Sequence, residues 1–248
     1  MSRTVLVTGG AKRIGAAIVR QLAAAGYHTI IHHHASADEA ASLAKEVGAV
    51  GVVSGDLSDT AGTAELFARA VALAGGPIDA LVNSASEFSF DRPERIDPTL
   101  AARLFAVNCT APTLLASALA AQSITDGAVV NILDQKLANP NPDFFSYTLA
   151  KTALEGATTL MAQAFAPRVR VNAVSPGLTL PSGDQSAAEF DRVSRRNLLQ
   201  RPVGADAVAD AVVWLLGARS VTGQTVFVDC GQRFMKRDGD VMFEGRDA

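Results

Sequence analysis

Residues 4–26 read TVLVTGGAKRIGAAIVRQLAAAG, and this stretch decides the fold. TVLVT (4–8) is apolar and β-branched with no polar alternation, the composition of a strand buried on both faces. IGAAIVRQLAAA (14–25) repeats its apolar residues at helical spacing and stops at Gly26, a C-cap residue. Between them lies TGGAKRIG (8–15). A strand, a glycine-rich turn and a helix in direct succession form a phosphate-binding context. The glycines let backbone approach a pyrophosphate, and the helix start offers free N–H groups and the positive end of its dipole. The competing reading is a tight turn with no ligand.

The same alternation continues along the chain. Further strands are predicted at 28–33, 49–53, 79–83, 127–133, 169–174 and 224–229. Helices are predicted at 37–47, 60–74, 97–121, 146–166 and 206–216. Alternating β and α implies a parallel sheet of about seven strands with helices on both faces, wound in both directions by right-handed crossovers. Residues 1–248 then form one α/β domain. Ligands of such sheets sit outside the carboxyl ends of the strands. That places the chemistry at 9–15, 32–36, 54–57, 83–88, 134 and 175–180. The polar stretch 178–196, extending to about 200, reads as a substrate lid with a short helix of its own. The charged tail 231–248 is expected to wrap the surface or a partner subunit.

Bulk properties narrow the classes. Hydrophobic residues make up 48% of the chain, and the net charge is −3. No basic field argues for nucleic acid or an anionic membrane. The apolar stretch around 100–121 is interrupted by Arg103 and Asn108, against a membrane span. Cys109 and Cys230 have neither metal-ligand spacing nor a disulfide pattern around them, and MSRTVLVTGG enters a strand directly. A reduced, cytoplasmic setting is expected. His32, His33 and His34 do not make a metal site, because neighbours in a strand point to opposite faces.

The end of the second strand discriminates between nicotinamide cofactors. NAD sites usually place an acid there for the ribose 2′-hydroxyl. Here HHHAS (32–36) has none, while Lys12 and Arg13 put two cations on the neighbouring turn. This favours the 2′-phosphate of NADP. His33 reads as a solvated strand end and His34 as a neighbour of the phosphate. In GDL (55–57), Asp56 either accepts from the adenine amino group or caps a turn.

Tyr147 and Lys151 lie four apart in a predicted helix and share a face. A lysine beside a phenol is expected to lower the phenol pKa, which suits acid catalysis. An exposed helix pair is the plainer alternative. Asp134, at the end of the fifth strand, is either a third member of this set or a structural cap.

Taken together, TGGAKRIG, VNSAS (82–86), Asn108, Tyr147-x3-Lys151 and Pro176-Gly177 resemble the short-chain dehydrogenase/reductase family over essentially the whole chain. The resemblance implies a Rossmann-type domain in which Tyr147 donates a proton and Lys151 binds the nicotinamide ribose and tunes Tyr147. Asn108 supports a proton-relay water. Gly9, Lys12, Arg13, Ile14, Gly15, His34, Ser36, Asp56, Leu57, Asn83, Ala85, Ser86, Tyr147, Lys151, Pro176 and Gly177 would hold NADPH. Two departures, Arg13 for a glycine and Asp134 for the usual serine, resemble the pteridine reductase branch and the related dihydromonapterin reductases. Phe88 in NSASEF matches a ring that stacks on the pterin, either that or ordinary loop packing. Arg13, Ser86, Phe88, Asp134 and Tyr147 would then contact substrate. Ala35 stands where the branch has an arginine, which leaves the 2′-phosphate to Lys12, Arg13, His34 and Ser36. The implied protein is a homotetrameric, metal-free reductase passing hydride from NADPH to a 7,8-dihydropterin of biopterin, monapterin or folate type. A ketone, sugar or 3-oxoacyl reductase, and a non-catalytic NADP-binding regulator, are the alternatives.

Overall fold

A computed structural model describes residues 3–181 and 185–243. Its sheet has seven parallel strands in the order β3-β2-β1-β4-β5-β6-β7. These are β1 (Thr4–Thr8), β2 (His28–His33), β3 (Gly51–Ser54), β4 (Ala80–Asn83), β5 (Gly127–Ile132), β6 (Val169–Pro176) and β7 (Thr225–Val228). The winding direction reverses between β1 and β4, which opens a crevice above their carboxyl ends.

Side-chain alternation builds the two core layers. Val5 and Val7 of β1 pack on one face with α1 (Arg13–Ala24), α2 (Ala37–Val47) and α8 (Ala205–Gly217). Leu6 packs on the other with α3 (Thr63–Ala74) and α5 (Ala111–Ala121). All three are fully buried, so β1 has no wet face, as its unbroken apolar run predicts.

The helix expected over 97–121 carries an interruption. Asp97 caps α4 (Pro98–Phe105), its carboxylate accepting from Thr99 N at 2.8 Å. A π-helical turn, Ala106–Thr110, then joins α4 to α5. Pro112 explains it: the residue has no N–H for the carbonyl of Asn108, and its ring crowds that carbonyl. Ala111 N donates instead to Ala106 O, five residues back. The stretch Pro98–Ala120 is long and apolar enough to cross a membrane by length and composition alone. Here Leu104, Leu115 and Leu119 are fully buried inside the domain, so by packing it is a core helix.

Two segments frame the crevice. Residues 178–181 leave β6, and α7 (Ala187–Ser194) supplies the short helix expected in the lid, capped reciprocally by Ser186 and Glu189. Residues 182–184 of that segment lie outside the described residues. The tail does fold back over the domain: 3-10 turns at Gln232–Phe234 and Val241–Phe243 bring it to the mouth of the crevice. Its last five residues are outside the description.

Candidate active site

A cavity of about 370 Å³ opens at the carboxyl ends of the central strands. Gly9, Lys12, Arg13, Ile14 and Gly15 line one part of it; Ser86, Phe88, Asp134, Tyr147 and Lys151 line another. Pro176 and Gly177, from the end of β6, and Ala85, from the loop after β4, also face it.

The turn after β1 has the shape a dinucleotide phosphate group needs. Gly9 has φ +60, and a Cβ there would come within 2.7 Å of Ala85 Cα. A Cβ on Gly15 would sit 2.1 Å from Gly9 O. The start of α1 has no side-chain cap and no acid in its first turn. Its N–H groups and dipole end are therefore left for an anion. Arg13 occupies the left-handed region, φ +55, that glycine normally supplies. The backbone shape of the glycine turn is thus kept at a strain of about 1–2 kcal/mol. In return a guanidinium spans the crevice and donates to Pro181 O at 2.8 Å.

His32 was not singled out by the motifs, yet it ties this turn down. Its Nδ1 accepts from Gly9 N at 3.1 Å, and its Nε2 lies 3.1 Å from Gly55 O. Acceptance at Nδ1 assigns the proton to Nε2. Burial lowers its pKa to about 4, so the ring is a neutral staple. His33 corrects an expectation. It is buried rather than solvated, because both faces of β2 are covered, and its Nδ1 has no partner.

The surface beside the ends of β2 and β3 is open to water. Lys12 Nζ pairs with Glu39 Oε1 at 2.6 Å, both side chains half exposed. His34 Nε2 lies 3.8 Å from Asp56 Oδ2. Asp56 accepts from Ser58 N, a bond that holds its pKa below the usual carboxylate range. The hydroxyl of Ser36, which precedes α2, makes no cap hydrogen bond. His34, Ser36, Asp56 and Leu57 do not line the cavity itself. They lie at the ends of β2 and β3 beside it, and Leu57 is buried packing.

At the opposite end of the chemistry, Tyr147 Oη donates to Asp134 Oδ2 at 3.0 Å. Tyr147 stands in the first turn of α6 (Phe145–Phe165), and Asp134 follows β5. Asp134 meets Tyr147 and is also a cap, since its Oδ1 accepts from Lys136 N at 2.9 Å at the start of a 3-10 turn. Lys151, one helical turn beyond Tyr147, is buried and donates to Ile132 O at 2.8 Å. Burial pushes the Asp134 carboxyl pKa up. Burial, and then the neighbouring Asp134, raise the Tyr147 phenol well above its usual value. Burial lowers Lys151 to about 8.

These shifts overturn the expectation that Lys151 lowers the phenol pKa. Its ammonium gives one of its donors to a carbonyl and lies 5.7 Å from the Tyr147 ring centre, and desolvation dominates. Burial thus disfavours the charged form of both Asp134 and Tyr147.

Two other residues play parts different from those expected. Asn108 is fully buried in the π turn. Its Nδ2 donates to Glu87 O and Leu104 O, and its Oδ1 accepts from Ser86 Oγ at 2.7 Å. Its side chain reaches the cavity only through Ser86. The side chain of Asn83 donates to Asn131 Oδ1 and Pro112 O inside the sheet, away from the cavity.

Phe88 lines the cavity with its ring stacked on Phe144, centres 3.9 Å apart, and its edge set against Tyr147. Phe144, at φ +52 just before α6, also stacks on Phe243 of the tail. The motifs missed Lys136, Phe144, Gln232, Asp240 and Val241. Only Phe144 carried a signal, three residues before Tyr147. Lys136 and Asp240 meet across 104 residues of chain.

A doubly wound sheet with a phosphate turn, whose cavity gathers a buried tyrosine, a carboxyl group and a lysine one turn on, defines an oxidoreductase. A family model described as enoyl-(acyl carrier protein) reductase matches residues 9–233. The chain belongs to the short-chain dehydrogenase/reductase family, in its pteridine reductase-like branch. It is 34% identical to pteridine reductase 1 of Leishmania tarentolae, covering 91% of this chain and 94% of that one. It is 33% identical to L-xylulose reductase of Bos taurus, over 92% and 96%. The crystal structure of FolM alternative dihydrofolate reductase 1 from Brucella canis, complexed with NADP, superposes with a TM-score of 0.86 at 42% identity, covering 94% of this chain and 95% of that one.

Proposed function

We propose that this protein reduces a dihydropterin at a ring C=N bond with NADPH. The observation that carries the reading is the Tyr147–Asp134 pair, hydrogen-bonded at 3.0 Å in a cavity that also presents Phe88. The NADPH supplies the hydride. The turn at Gly9–Gly15 and the start of α1 would hold its pyrophosphate, Lys12, Arg13, His34 and Ser36 its 2′-phosphate, and Lys151 its ribose.

The chain's own groups then handle the proton. Tyr147 Oη–H donates to the ring nitrogen as that atom gains electron density. Asp134, whose carboxyl pKa is raised by burial, is placed by its hydrogen bond to return a proton to the phenolate oxygen. The cationic form of Lys151 steadies the negative charge in transit. A serine hydroxyl suits a carbonyl oxygen; a carboxyl group suits a site that must refill a phenol. Phe88 would cover one face of the flat ring, with Phe144 supporting it from behind.

Purified protein incubated with NADPH and dihydrobiopterin, dihydromonapterin or dihydrofolate is expected to oxidise NADPH with at least one of them. No oxidation with any would sink the reading. The likeness to L-xylulose reductase supports a second reading, a carbonyl reductase, and a panel of ketones, sugars and 3-oxoacyl thioesters separates the two.

We infer further that the 178–200 segment closes over bound substrate and that the protein works in the cytoplasm as a homotetramer. Its two cysteines are free, and Phe105, Leu114, Leu149 and Leu160 leave apolar side chains exposed on α4, α5 and α6. Light scattering reads the assembly directly.

A further inference from the structure

One wall of the cavity comes from no motif. Asp240 and Val241, on the tail, line the same space as Phe88, Asp134 and Tyr147. Asp240 is held firmly for a residue so near a chain end. Its N–H donates to Asp143 Oδ2 at 2.8 Å, and Asp143 Oδ1 accepts from Arg92 at 3.0 Å. Lys136 Nζ lies 3.2 Å from Asp240 Oδ2, with only 4% of the lysine side chain and 16% of the aspartate exposed. Lys136 also donates to Asp143 O, and Phe243 stacks on Phe144.

A latch for the tail does not require this ion pair. The aromatic stack and the backbone bond to Asp143 already seat the segment, and taking two charges out of water is expensive. A partly buried carboxylate in a cavity wall can serve what enters the cavity. The neighbouring lining residue Gln135 adds an acceptor, a buried Oε1 without a partner. Lys136 also lines this wall, but its ammonium is turned to Asp240 and Asp143 O, so the acceptors Asp240 and Gln135 suit a ligand edge carrying N–H donors.

We propose that Asp240 is a specificity-determining residue whose carboxylate, seated by Lys136, accepts from the adjacent N–H and amino groups on the 2-amino-4-oxo edge of the substrate ring. The two oxygens of a carboxylate match two parallel N–H groups, which is the geometry of bidentate recognition. A 2-oxo ring would turn a carbonyl towards the same carboxylate and be rejected. The inference rests on the dihydropterin reading and deepens it.

The test compares the full-length wild-type enzyme with Asp240→Asn and Asp240→Ala. Substrates are a 7,8-dihydropterin and the 7,8-dihydrolumazine bearing the same side chain, which has oxygen in place of the 2-amino group. NADPH binding, by fluorescence, and thermal melting are measured alongside. The wild type is expected to favour the amino substrate by on the order of 100-fold in kcat/KM. Asp240→Asn should raise KM for the dihydropterin about 10- to 100-fold and collapse that preference, with kcat and NADPH affinity changing far less. A preference that survives in Asp240→Asn overturns the proposal. So does an equal loss on both substrates accompanied by a lowered melting temperature, which would make the pair a latch only. Wild-type enzyme that turns over neither dihydropterin nor any relative of it removes the underlying reading, a failure visible before any variant is compared.

Discussion

At the β2 end of the site, Lys12 and Glu39 meet at 2.6 Å with half of each side chain in water. At the β5 end, Asp134 and Tyr147 meet at 3.0 Å, and Tyr147 is only 6% exposed. The first contact is screened by solvent, contributes little, and can be exchanged for a ligand phosphate. The second is desolvated, and burial raises the pKa of both partners. One end is solvated and exchangeable, the other dry and fixed. Substitutions at the buried end should therefore act on the chemical step, and those at the open end on cofactor affinity.

The largest effect is expected from Tyr147→Phe. Removing the proton donor should lower kcat by about 10³-fold, with NADPH binding nearly unchanged by fluorescence titration. Turnover close to wild type would break the contrast at its buried end.

Asp134→Asn should lower kcat by about 10²-fold, and it removes the titrating carboxyl group while keeping one of its two acceptors. The pH dependence follows from the direction of the shift. The folded pKa of Asp134 lies above its ordinary value of 3.8. The benefit of burying the neutral form is then complete below about pH 4 and lost as pH rises through the folded pKa. Calorimetry should show the wild type losing stability relative to the variant as pH rises above about 4. In the wild type, turnover should fall as pH rises through the same pKa, and the variant should lack that limb.

At the open end, Ala35→Arg restores the cation missing after β2. It should tighten NADPH by about 10-fold and leave NADH unchanged, read from the two KM values. The smallest effect belongs to Glu39→Gln, which frees Lys12 and should improve NADPH affinity by about twofold at low salt and not at high salt. An unchanged affinity at low salt would mean that Lys12 is not held back by Glu39.

The contrast also explains what the sequence made legible. The sheet was readable because the central strands carry short apolar runs, VLV in β1, ALV in β4 and AVV in β5, and each helix has its own period. Asp134 and Tyr147 were readable because both sit at strand and helix ends that the fold brings together within 13 residues. The direction of the Tyr147 shift was not, because spacing places Lys151 on the right face without telling what its ammonium bonds. His33 was misread because a polar residue in a strand looks solvated until both flanking layers are known. Asp240 and Lys136 were invisible, since their contact is made by the tail's path and not by any local pattern. The π turn was foreshadowed by Pro112 alone, and a proline in the first turn of a new helix is equally ordinary.

Arg13 carries one more consequence. Its left-handed backbone strains the fold by about 1–2 kcal/mol, and glycine in its place would relieve this while adding about 0.5–1 kcal/mol of unfolded-chain entropy. The two terms nearly cancel. A mutational scan scored on abundance or melting temperature would pass Arg13→Gly as silent, and so would a design protocol seeking the most stable turn. If Arg13 holds cofactor as proposed, the same scan scored on growth that depends on the reaction would penalise the change. Position 13 is thus one where fitness and foldedness are recorded in separate ledgers.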